Sequence, residues 1–329
     1  MSSRTTRRKV AGLLIAGATA LSATACGGGG SAGTGAGADT MTVSYSQVVA
    51  DELPLWIADE AGLFKAQGLD VKLVSLSSSD GFPALVSGQS QLASIGASEM
   101  VSGAASGAEV SYLATLTPVF PYELFAKVDD PKQLKGKRIG VTSTSGSLYI
   151  ATLAALKQVG LAQTDVQLTP LGSVTNVNNA LVAGTIDAAL SHPPATTQIE
   201  AAGFRSILDL AQQNIPTSNV GIAGTKEYIN GHKDQIRRFM VALQQAIKRE
   251  KTDKAYAIEV LGRHLNITDA KALDETWQYY AGEILPDVPT PTKEQLQTSV
   301  EELAASHPAV RNVDIGSLVD ASFLTPATG

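Results

Sequence analysis

Cysteine is almost absent from this sequence, since Cys26 is the only one in 329 residues. A disulfide within the chain is therefore impossible, and a zinc site built from several thiolates is excluded as well. None of the 4 histidines lies in a recognisable motif with a nucleophile or with metal ligands at a suitable spacing. We therefore expect no catalytic residues, no metal and no cofactor.

Basic residues are also scarce. The net charge is −6, and the first 25 residues hold Arg4, Arg7, Arg8 and Lys9 but no acid, which leaves 21 basic against 31 acidic residues in the rest. An acidic body without a basic stripe argues against a nucleic acid as partner. The chain is long enough to bury a sizeable core and to form two domains or lobes.

The apolar stretch near the start, residues 10–21, is shorter than the roughly 20 residues of a membrane-spanning helix. It follows a basic segment and precedes small residues that end at Cys26, which resembles a bacterial lipoprotein signal. The resemblance implies a signal peptide at 1–25 and a lipid on Cys26. A plain secretory signal is the alternative, and the pair Arg7-Arg8 leaves twin-arginine export open.

Residues 27–38 are almost wholly Gly, Ala, Ser and Thr. Such a segment buries too little apolar surface to order itself, so we expect residues 26–40 to be a flexible tether that begins at the lipidated cysteine. The tether would hold an acidic globular domain at the extracytoplasmic face of the cell membrane. Without the lipid, the protein would be secreted or periplasmic.

From residue 41 onwards, predicted strands alternate with predicted helices, which favours an α/β fold with largely parallel sheets. The alternation restarts after residues 129–131, and the sequence ALVSG at 84–88 returns as ALVAG at 180–184. Two similar consecutive lobes are the simplest interpretation. The last third is predicted to be helical, with a helix over 232–250, a capping box of Thr292 and Gln295, and Thr268 as the cap of a helix that carries Trp277.

Hydroxyl residues separate a predicted strand at 138–141 from a predicted helix at 147–159. The start of a helix presents free N–H groups and a partial positive charge, so it suits an anionic or polar group of a ligand. Serine and threonine are also ordinary helix caps that bind nothing. The segment is not a phosphate-binding loop of the P-loop type, because Ser147 stands where that motif needs lysine.

Several segments together resemble the solute-binding proteins of nitrate, sulfonate and taurine ABC importers, a family that also includes binders of the thiamine pyrimidine. They are LPLWIADEAGLF at 53–64, GLDV at 68–71, ALVSG at 84–88, LKGKRIGV at 134–141 and ALVAGTIDA at 180–188. The resemblance covers about residues 41–324. Gln91 departs from the family pattern, which has aspartate there.

The resemblance implies a two-lobed type II periplasmic-binding-protein fold, in which each lobe is a mostly parallel sheet with flanking helices. Two crossing strands would join lobe 1, residues 41–124 plus 224–329, to lobe 2, residues 125–223. The implied function is to close on a small polar or anionic organic solute and deliver it to an ABC permease and its ATPase, as a monomer. Alternatives are an enzyme that makes the thiamine pyrimidine, whose cysteine-rich motif this chain lacks, and a tethered ligand sensor.

Open α/β sheets bind ligands at the carboxyl ends of their strands, and this rule selects the candidate contacts. From lobe 1 these are Ser78, Ser79, Asp80, Gly96, Ala97 and Ser98, and from lobe 2 Ser143, Thr144, Ser145, Gly146, Ser147, Asn176 and His192. Trp56 near a helix start is a further candidate, because its ring could stack on a ring-containing ligand. The serines could instead be caps, Trp56 a core residue and His192 a structural residue. Asp80 and Glu99 would oppose an anion, so they either cap helices or indicate an amine-bearing ligand.

Overall fold

We analysed a computed structural model, which describes residues 39–77, 79–144 and 146–325. The predicted signal peptide, the tether before residue 39 and the lipidation of Cys26 lie outside the described residues. The candidate contacts Ser78 and Ser145 lie outside them too.

Within the described part of the chain, ten strands form two five-stranded sheets. The strands are β1 (Asp39–Tyr45), β2 (Leu69–Ser75), β3 (Leu92–Ile95), β4 (Val110–Thr117), β5 (Glu123–Ala126), β6 (Arg138–Val141), β7 (Gln167–Pro170), β8 (Ala188–Ser191), β9 (Arg205–Asp209) and β10 (Val220–Thr225). The first sheet has the order β2-β1-β3-β10-β4, and the second has the order β7-β6-β8-β5-β9. We call the first sheet with its helices lobe 1 and the second lobe 2.

Both sheets follow one plan. In lobe 1, β1 is parallel to β2 and β3, and β10 is antiparallel to its neighbours β3 and β4. In lobe 2, β6 is parallel to β7 and β8, and β5 is antiparallel to its neighbours β8 and β9. Each sheet is therefore mostly parallel with one reversed strand, and that strand is the one that enters the lobe after a crossing. The α/β fold predicted from the sequence is confirmed.

The strand pairings place the lobe boundaries a few residues before the predicted ones. β5 begins at Glu123 and already belongs to the second sheet, whereas β10 belongs to the first sheet from Val220 onwards. The chain therefore crosses between the lobes at about 118–122 and 210–219, several residues before the predicted borders at 124 and 223. The predicted second border cut through β10, a strand that the sequence pattern did not reveal.

The helices flank these sheets. They are α1 (Leu53–Glu60), α2 (Leu63–Ala66), α3 (Gly81–Val86), α4 (Ala97–Ala105), α5 (Ser147–Gln158), α6 (Val174–Val182), α7 (Thr196–Ala201), α8 (Lys226–Gly231), α9 (Lys233–Thr252), α10 (Lys254–Leu265), α11 (Ala270–Trp277) and α12 (Lys293–Leu303), and a π-helical segment follows α11 at Gln278–Ile284.

Two predicted caps had different outcomes. The capping box at the start of α12 is confirmed, because the Thr292 N–H donates to Gln295 Oε1 at 2.9 Å and the Gln295 N–H donates to Thr292 Oγ1 at 3.4 Å. The cap predicted at Thr268 is wrong. Asp269 caps α11 instead, and its Oδ1 accepts from the backbone N–H groups of Lys271 and Ala272 at 2.9 and 3.0 Å.

The apolar core has two parts. One lies inside lobe 1, where α1, α2, α9 and α10 cover a face of the first sheet. The other runs through both lobes, because α12 packs against α4 of lobe 1 and also against α5 of lobe 2. The two lobes are therefore joined by buried apolar surface as well as by the two crossings.

Glu250 is a buried acid on α9, 1% exposed, and its Oε2 has no hydrogen-bond partner among the described residues. Burial raises the pKa of its carboxyl to about 8. Between its ordinary pKa of 4.5 and about 8, the folded protein holds a proton that the unfolded chain has released, so stability falls as pH rises across this window. The loss is at most about 5 kcal/mol.

We therefore expect Glu250→Gln to raise the melting temperature at about pH 8.5 and to change it little near pH 4.5, because the amide never ionises. Thermal unfolding across this pH range checks the prediction. Glu301→Gln on α12, which replaces an exposed acid, is the control and should follow the wild type throughout. A Glu250→Gln variant with an unchanged pH profile would contradict the buried proton.

Candidate functional site

Two connected cavities lie between the lobes. The inner chamber has a volume of about 50 Å³ and is lined by Ser46, Gln47, Val49, Asp51, Glu52, Ser94, Ile95, Gly96, Glu99, Tyr122, Thr142, Ser147, Leu148, Val174, His192, Asn219 and Val220. The outer vestibule has about 520 Å³, shares five of these residues and adds segments around Leu76, Thr175, Asn178, Ala195 and Leu265. Both lobes and both crossings contribute to this cleft.

The carboxyl ends of strands supply much of the lining. Ser46 and Gln47 follow β1, Gly96 follows β3, Thr142 follows β6, and His192 follows β8. Open α/β sheets present their ligand sites at this edge. The two sheets place these edges opposite each other, so the cleft has the geometry of a site that a ligand fills from both sides.

Two carboxyl groups enter the chamber from the short 3-10 turn before α1. Asp51 and Glu52 are 5% and 1% exposed. Asp51 Oδ1 accepts a hydrogen bond from Thr117 Oγ1 at 2.8 Å, whereas Glu52 Oε2 has no partner among the described residues. Burial raises the pKa of Glu52 well above its usual value. Neither acid was predicted from the sequence, because acids at the start of a helix are commonplace.

Glu99, in the first turn of α4, supplies a third carboxyl group. Ser98 Oγ donates to Glu99 Oε2 at 2.7 Å. A Cβ atom at Gly146 would lie 3.5 Å from Glu99 Oε1, so this carboxyl sits at the start of α5. Burial raises the pKa of Glu99 to about 7. The helix start that was predicted to receive an anionic group of the ligand therefore faces a carboxyl group of the protein itself.

The hydroxyl segment before α5 divides between two roles. Thr142 and Ser147 line the chamber, and Ser147 Oγ donates to the backbone oxygen of Asn219 at 2.9 Å. Ser143 Oγ accepts from the Gly146 N–H at 3.1 Å, which is a local turn contact. Thr144 is exposed, and neither Ser143 nor Thr144 lines the two cavities of the described cleft.

His192 combines with aromatic rings at the chamber wall. It is 5% exposed, and its Nδ1 donates to the backbone oxygen of Pro193 at 2.8 Å. The ring centroid lies 5.5 Å from that of Tyr122, and Tyr280 meets it edge-on at 5.9 Å. Gly96, Ser147 and His192 are thus the sequence candidates that the structure brings together in the chamber.

Other sequence candidates lie elsewhere. Trp56 is 0% exposed inside lobe 1, where it stacks on His264, and it lines neither cavity of the described cleft. Asn176 is exposed and its side chain donates to the backbone oxygen of Leu171 at 2.8 Å, while its neighbours Asn178 and Asn179 line the vestibule.

The remaining lobe 1 candidates also have structural roles. Ser79 and Asp80 are exposed, and Asp80 Oδ2 accepts from Ser77 Oγ at 2.6 Å. Ala97 is 0% exposed, and Ser98 holds Glu99 without lining either cavity of the described cleft. Asp80 was a candidate because it follows β2, and its carboxylate accepts a hydrogen bond within an exposed turn.

Two further features concern cofactors and membranes. Among residues 39–77, 79–144 and 146–325, no group of three or more His, Cys, Asp or Glu is arranged to hold a metal ion. Within the same part of the chain, no helix has the length and apolar character needed to cross a membrane.

Comparison with known structures confirms the two-lobed fold. The alkanesulfonate-binding protein SsuA from Xanthomonas axonopodis pv. citri, bound to MOPS, superposes with a TM-score of 0.69 at 19% identity and covers 85% of this chain and 96% of its own. The aliphatic sulphonate-binding protein SsuA from Escherichia coli gives 0.69 at 18% identity, with 86% and 92% covered. The nitrate-binding protein NrtA from Synechocystis PCC 6803 gives 0.69 at 16% identity, with 84% and 85% covered.

At these identities the likeness concerns the fold alone. A search of curated protein sequences finds no match. The family model described as NMT1/THI5 like matches residues 50–253, which is more than half of the chain and runs from the acidic turn before α1 through lobe 2 to the end of α9. The protein therefore belongs to the NMT1/THI5-like family and has the two-lobed fold of periplasmic solute-binding proteins.

Proposed function

We propose that this protein is the extracytoplasmic solute-binding component of an ABC importer, which closes its two lobes on a small organic solute and delivers it to a permease and its ATPase. The observation that carries the proposal is the cleft, because the strand ends of both lobes line it from opposite sides. The sulfonate- and nitrate-binding proteins of the same fold support it.

Closure rests on contacts that span the cleft. The backbone N–H of Val174 in lobe 2 donates to Gln47 Oε1 in lobe 1 at 3.1 Å, and Ser147 Oγ reaches the Asn219 oxygen on the second crossing. A solute that contacts both lobes adds to these bonds only in the closed state, so it shifts the population towards closure. A permease can then distinguish loaded from empty protein by its shape.

The proposed ligand contacts differ in part from those expected from the sequence. Gly96, Ser147 and His192 stay in the set, and Thr142 joins them. The chamber adds Asp51, Glu52, Glu99, Tyr122 and Asn219, and the vestibule adds Val174, Asn178 and Asn179. Residues 1–25 as a signal peptide, lipidation of Cys26, a flexible tether and a monomeric state remain part of the proposal.

Blocking the cleft should abolish binding without unfolding the protein. Val174 and Val182 lie on the same helix, α6, but Val174 lines both cavities whereas Val182 is 43% exposed to solvent. We expect Val174→Trp to lose every solute-induced rise in melting temperature. Val182→Trp should behave as wild type, whose stability rises by about 2.7 kcal/mol at a hundredfold excess of solute over the Kd.

The measurement is a thermal-shift screen of the purified protein with sulfonates, nitrate, carboxylates, pyrimidines and amines, followed by small-angle X-ray scattering with each positive solute. Binding should reduce the radius of gyration, because the lobes close. A solute that stabilises Val174→Trp as strongly as the wild type binds outside the cleft and would contradict the proposal.

A further inference from the structure

We propose that the solute carries a cationic nitrogen head, which is a protonated amine, amidine or guanidinium, and that this head binds in the inner chamber. The inference rests on the proposed function, because it names the chemistry of the solute that the cleft would take. Three features of the chamber support it independently: its unpaired acceptors, the sign of its charges, and its shape together with that of the vestibule.

Two buried acceptor atoms line the chamber without a donor. Glu52 Oε2 and Asn219 Oδ1 have no hydrogen-bond partner among the described residues, and their side chains are 1% and 3% exposed. A buried polar atom without a partner costs free energy, so native proteins rarely leave one without a reason. Ser94 Oγ lines the chamber without a partner as well, but its single O–H can donate to only one of the two acceptors, whereas a cationic nitrogen head supplies two or more N–H donors from one group.

The charged groups of the lining have one sign. Asp51, Glu52 and Glu99 are the carboxyl groups of the chamber, and neither cavity of the described cleft is lined by a lysine or an arginine. His192 is the only lining side chain that can carry a positive charge. A sulfonate would therefore be buried beside three carboxyl groups without a guanidinium or ammonium partner, which is costly. A cationic head would instead lie beside carboxyl groups, which attract it.

The start of α5 does not change this balance. A helix start attracts an anion, but the Glu99 carboxyl already lies there, between Gly96 and Gly146. Tyr122 adds an aromatic ring to the lining of the chamber. A cation that lies over the face of an aromatic ring is attracted to it.

The shape of the cleft separates the head of the solute from its body. The chamber, with about 50 Å³, has room for only a small head. The vestibule, with about 520 Å³, is lined by apolar residues such as Leu76, Leu265 and Ile267 and by the amides of Asn178, Asn179 and Gln198. A body with apolar and neutral polar parts fits it, and a second charged group has no partner there.

The test compares probes that share a body and differ in the sign of the head. One pair is n-butylamine with n-butanesulfonate, and the other is benzamidine with benzenesulfonate. Isothermal titration calorimetry is carried out on the wild-type protein at about pH 6 and pH 8. We expect both cations to bind and neither sulfonate to bind. We also expect the affinity for the cations to rise about tenfold between the two pH values.

The pH dependence follows from the titratable groups around the head. Asp51, Glu52, Glu99, Tyr122 and His192 line the chamber, and Tyr280 packs against His192. Burial raises the pKa of Glu99 to about 7, so more of this carboxyl is ionised at pH 8 than at pH 6. A cationic head gains from that ionisation, because the charge of the Glu99 carboxylate attracts it. An anionic head would show the opposite trend.

Two variants connect the result to the chamber. Glu52→Gln and Glu99→Gln each replace an ionisable carboxyl group by a neutral amide of nearly the same size, and we expect each to weaken cation binding by at least thirtyfold. Glu227→Gln, which replaces an exposed acid on α8, is the matched control and should bind as wild type. Circular dichroism of the three variants should show that all of them are folded.

Several outcomes would overturn the cationic head. They are binding of a sulfonate in preference to its matched cation, cation affinities in both chamber variants equal to that of the wild type, or no binding by any cation probe. In each case the importer proposal is judged separately by the thermal-shift screen. A sulfonate or a neutral solute that stabilises the wild type but not Val174→Trp would uphold the importer and reject the cation.

Discussion

Replacing Gly96 with alanine is expected to abolish tight solute binding while leaving both lobes folded. A Cβ atom at this position would lie 2.0 Å from Ser147 Oγ, 2.9 Å from Glu99 Oε2 and 3.0 Å from the backbone oxygen of Asn219. Ser147 belongs to lobe 2 and Gly96 to lobe 1, so the new methyl group occupies the space in which the lobes meet. The closed arrangement can then form only if the Ser147 hydroxyl turns away and loses its hydrogen bond to Asn219, or if α5 moves away.

The substitution should affect closure of the lobes more than their folding. Gly96 has φ −87° and ψ 164°, an extended conformation that alanine adopts without strain. The contacts to Glu99 and Asn219 do not depend on closure, but the shortest contact, to Ser147 of lobe 2, arises only when the lobes are closed, so the closed state is destabilised more than the open state. A bias of about 3 kcal/mol against closure weakens binding roughly a hundredfold, which is the loss we expect at minimum.

Calorimetry and small-angle scattering check this prediction, with the solute that stabilises the wild type as the probe. Gly282→Ala is the matched control, because a Cβ there meets no atom within 4 Å. We expect Gly282→Ala to bind and close as wild type, and Gly96→Ala to keep its melting temperature but remain open. An unchanged affinity in Gly96→Ala would show that the solute-bound state does not bring α5 this close to lobe 1.

Local sequence signals were enough to predict most of the fold. The strands at 92–95, 110–117, 138–141 and 188–191 match the structure, and α5 ends one residue before its predicted end. The apolar residues of these elements recur regularly, and start and stop signals lie at their ends. Each element can therefore be predicted from a few neighbouring residues. The alternation of strands and helices then indicated an α/β fold.

The strand β10 could not be predicted in the same way. Its sequence, VGIAGT at 220–225, contains two glycines, which weaken a strand signal. The reason for one of them is tertiary. A Cβ at Gly221 would lie 2.3 Å from the backbone oxygen of Ala114 and 2.3 Å from the ring of Tyr112, both on β4. Only the assembled sheet shows why a glycine-containing segment lies between β3 and β4.

The position of the site could be predicted from the sequence, but the chemistry of its lining could not. The strand-end rule located the edge of each sheet, and Gly96, Ser147 and His192 lie there. It did not show that Asp51 and Glu52 turn into the same space from the start of α1, because a pair of acids before a helix ordinarily faces solvent. The conflict between Glu99 and an anionic ligand was visible in the sequence, and the structure places this carboxyl at the helix start that an anion would use.

Trp56→Ala separates the two interpretations of the tryptophan in the family-like segment LPLWIADEAGLF. Trp56 is 0% exposed, its ring stacks on His264 with the centroids 4.2 Å apart, and Tyr45 meets it edge-on at 6.2 Å. Removing such a side chain leaves a large cavity, so we expect a loss of about 3–5 kcal/mol in the free energy of unfolding. Because Trp56 lines neither cavity of the described cleft, the folded variant should bind solute within about twofold of wild type.

Urea unfolding measures the loss of stability, and calorimetry well below the melting temperature measures the affinity. Trp56→Phe is the control, since the indole Nε1 has no hydrogen-bond partner among the described residues and phenylalanine keeps an aromatic ring in the stack. We expect Trp56→Phe to recover more than half of the lost stability. A tryptophan that stacks on the solute gives the reverse pattern, in which Trp56→Ala unfolds at the wild-type urea concentration but loses at least tenfold in affinity. That result would return Trp56 to the binding site and require an opening of lobe 1 between β1 and α10.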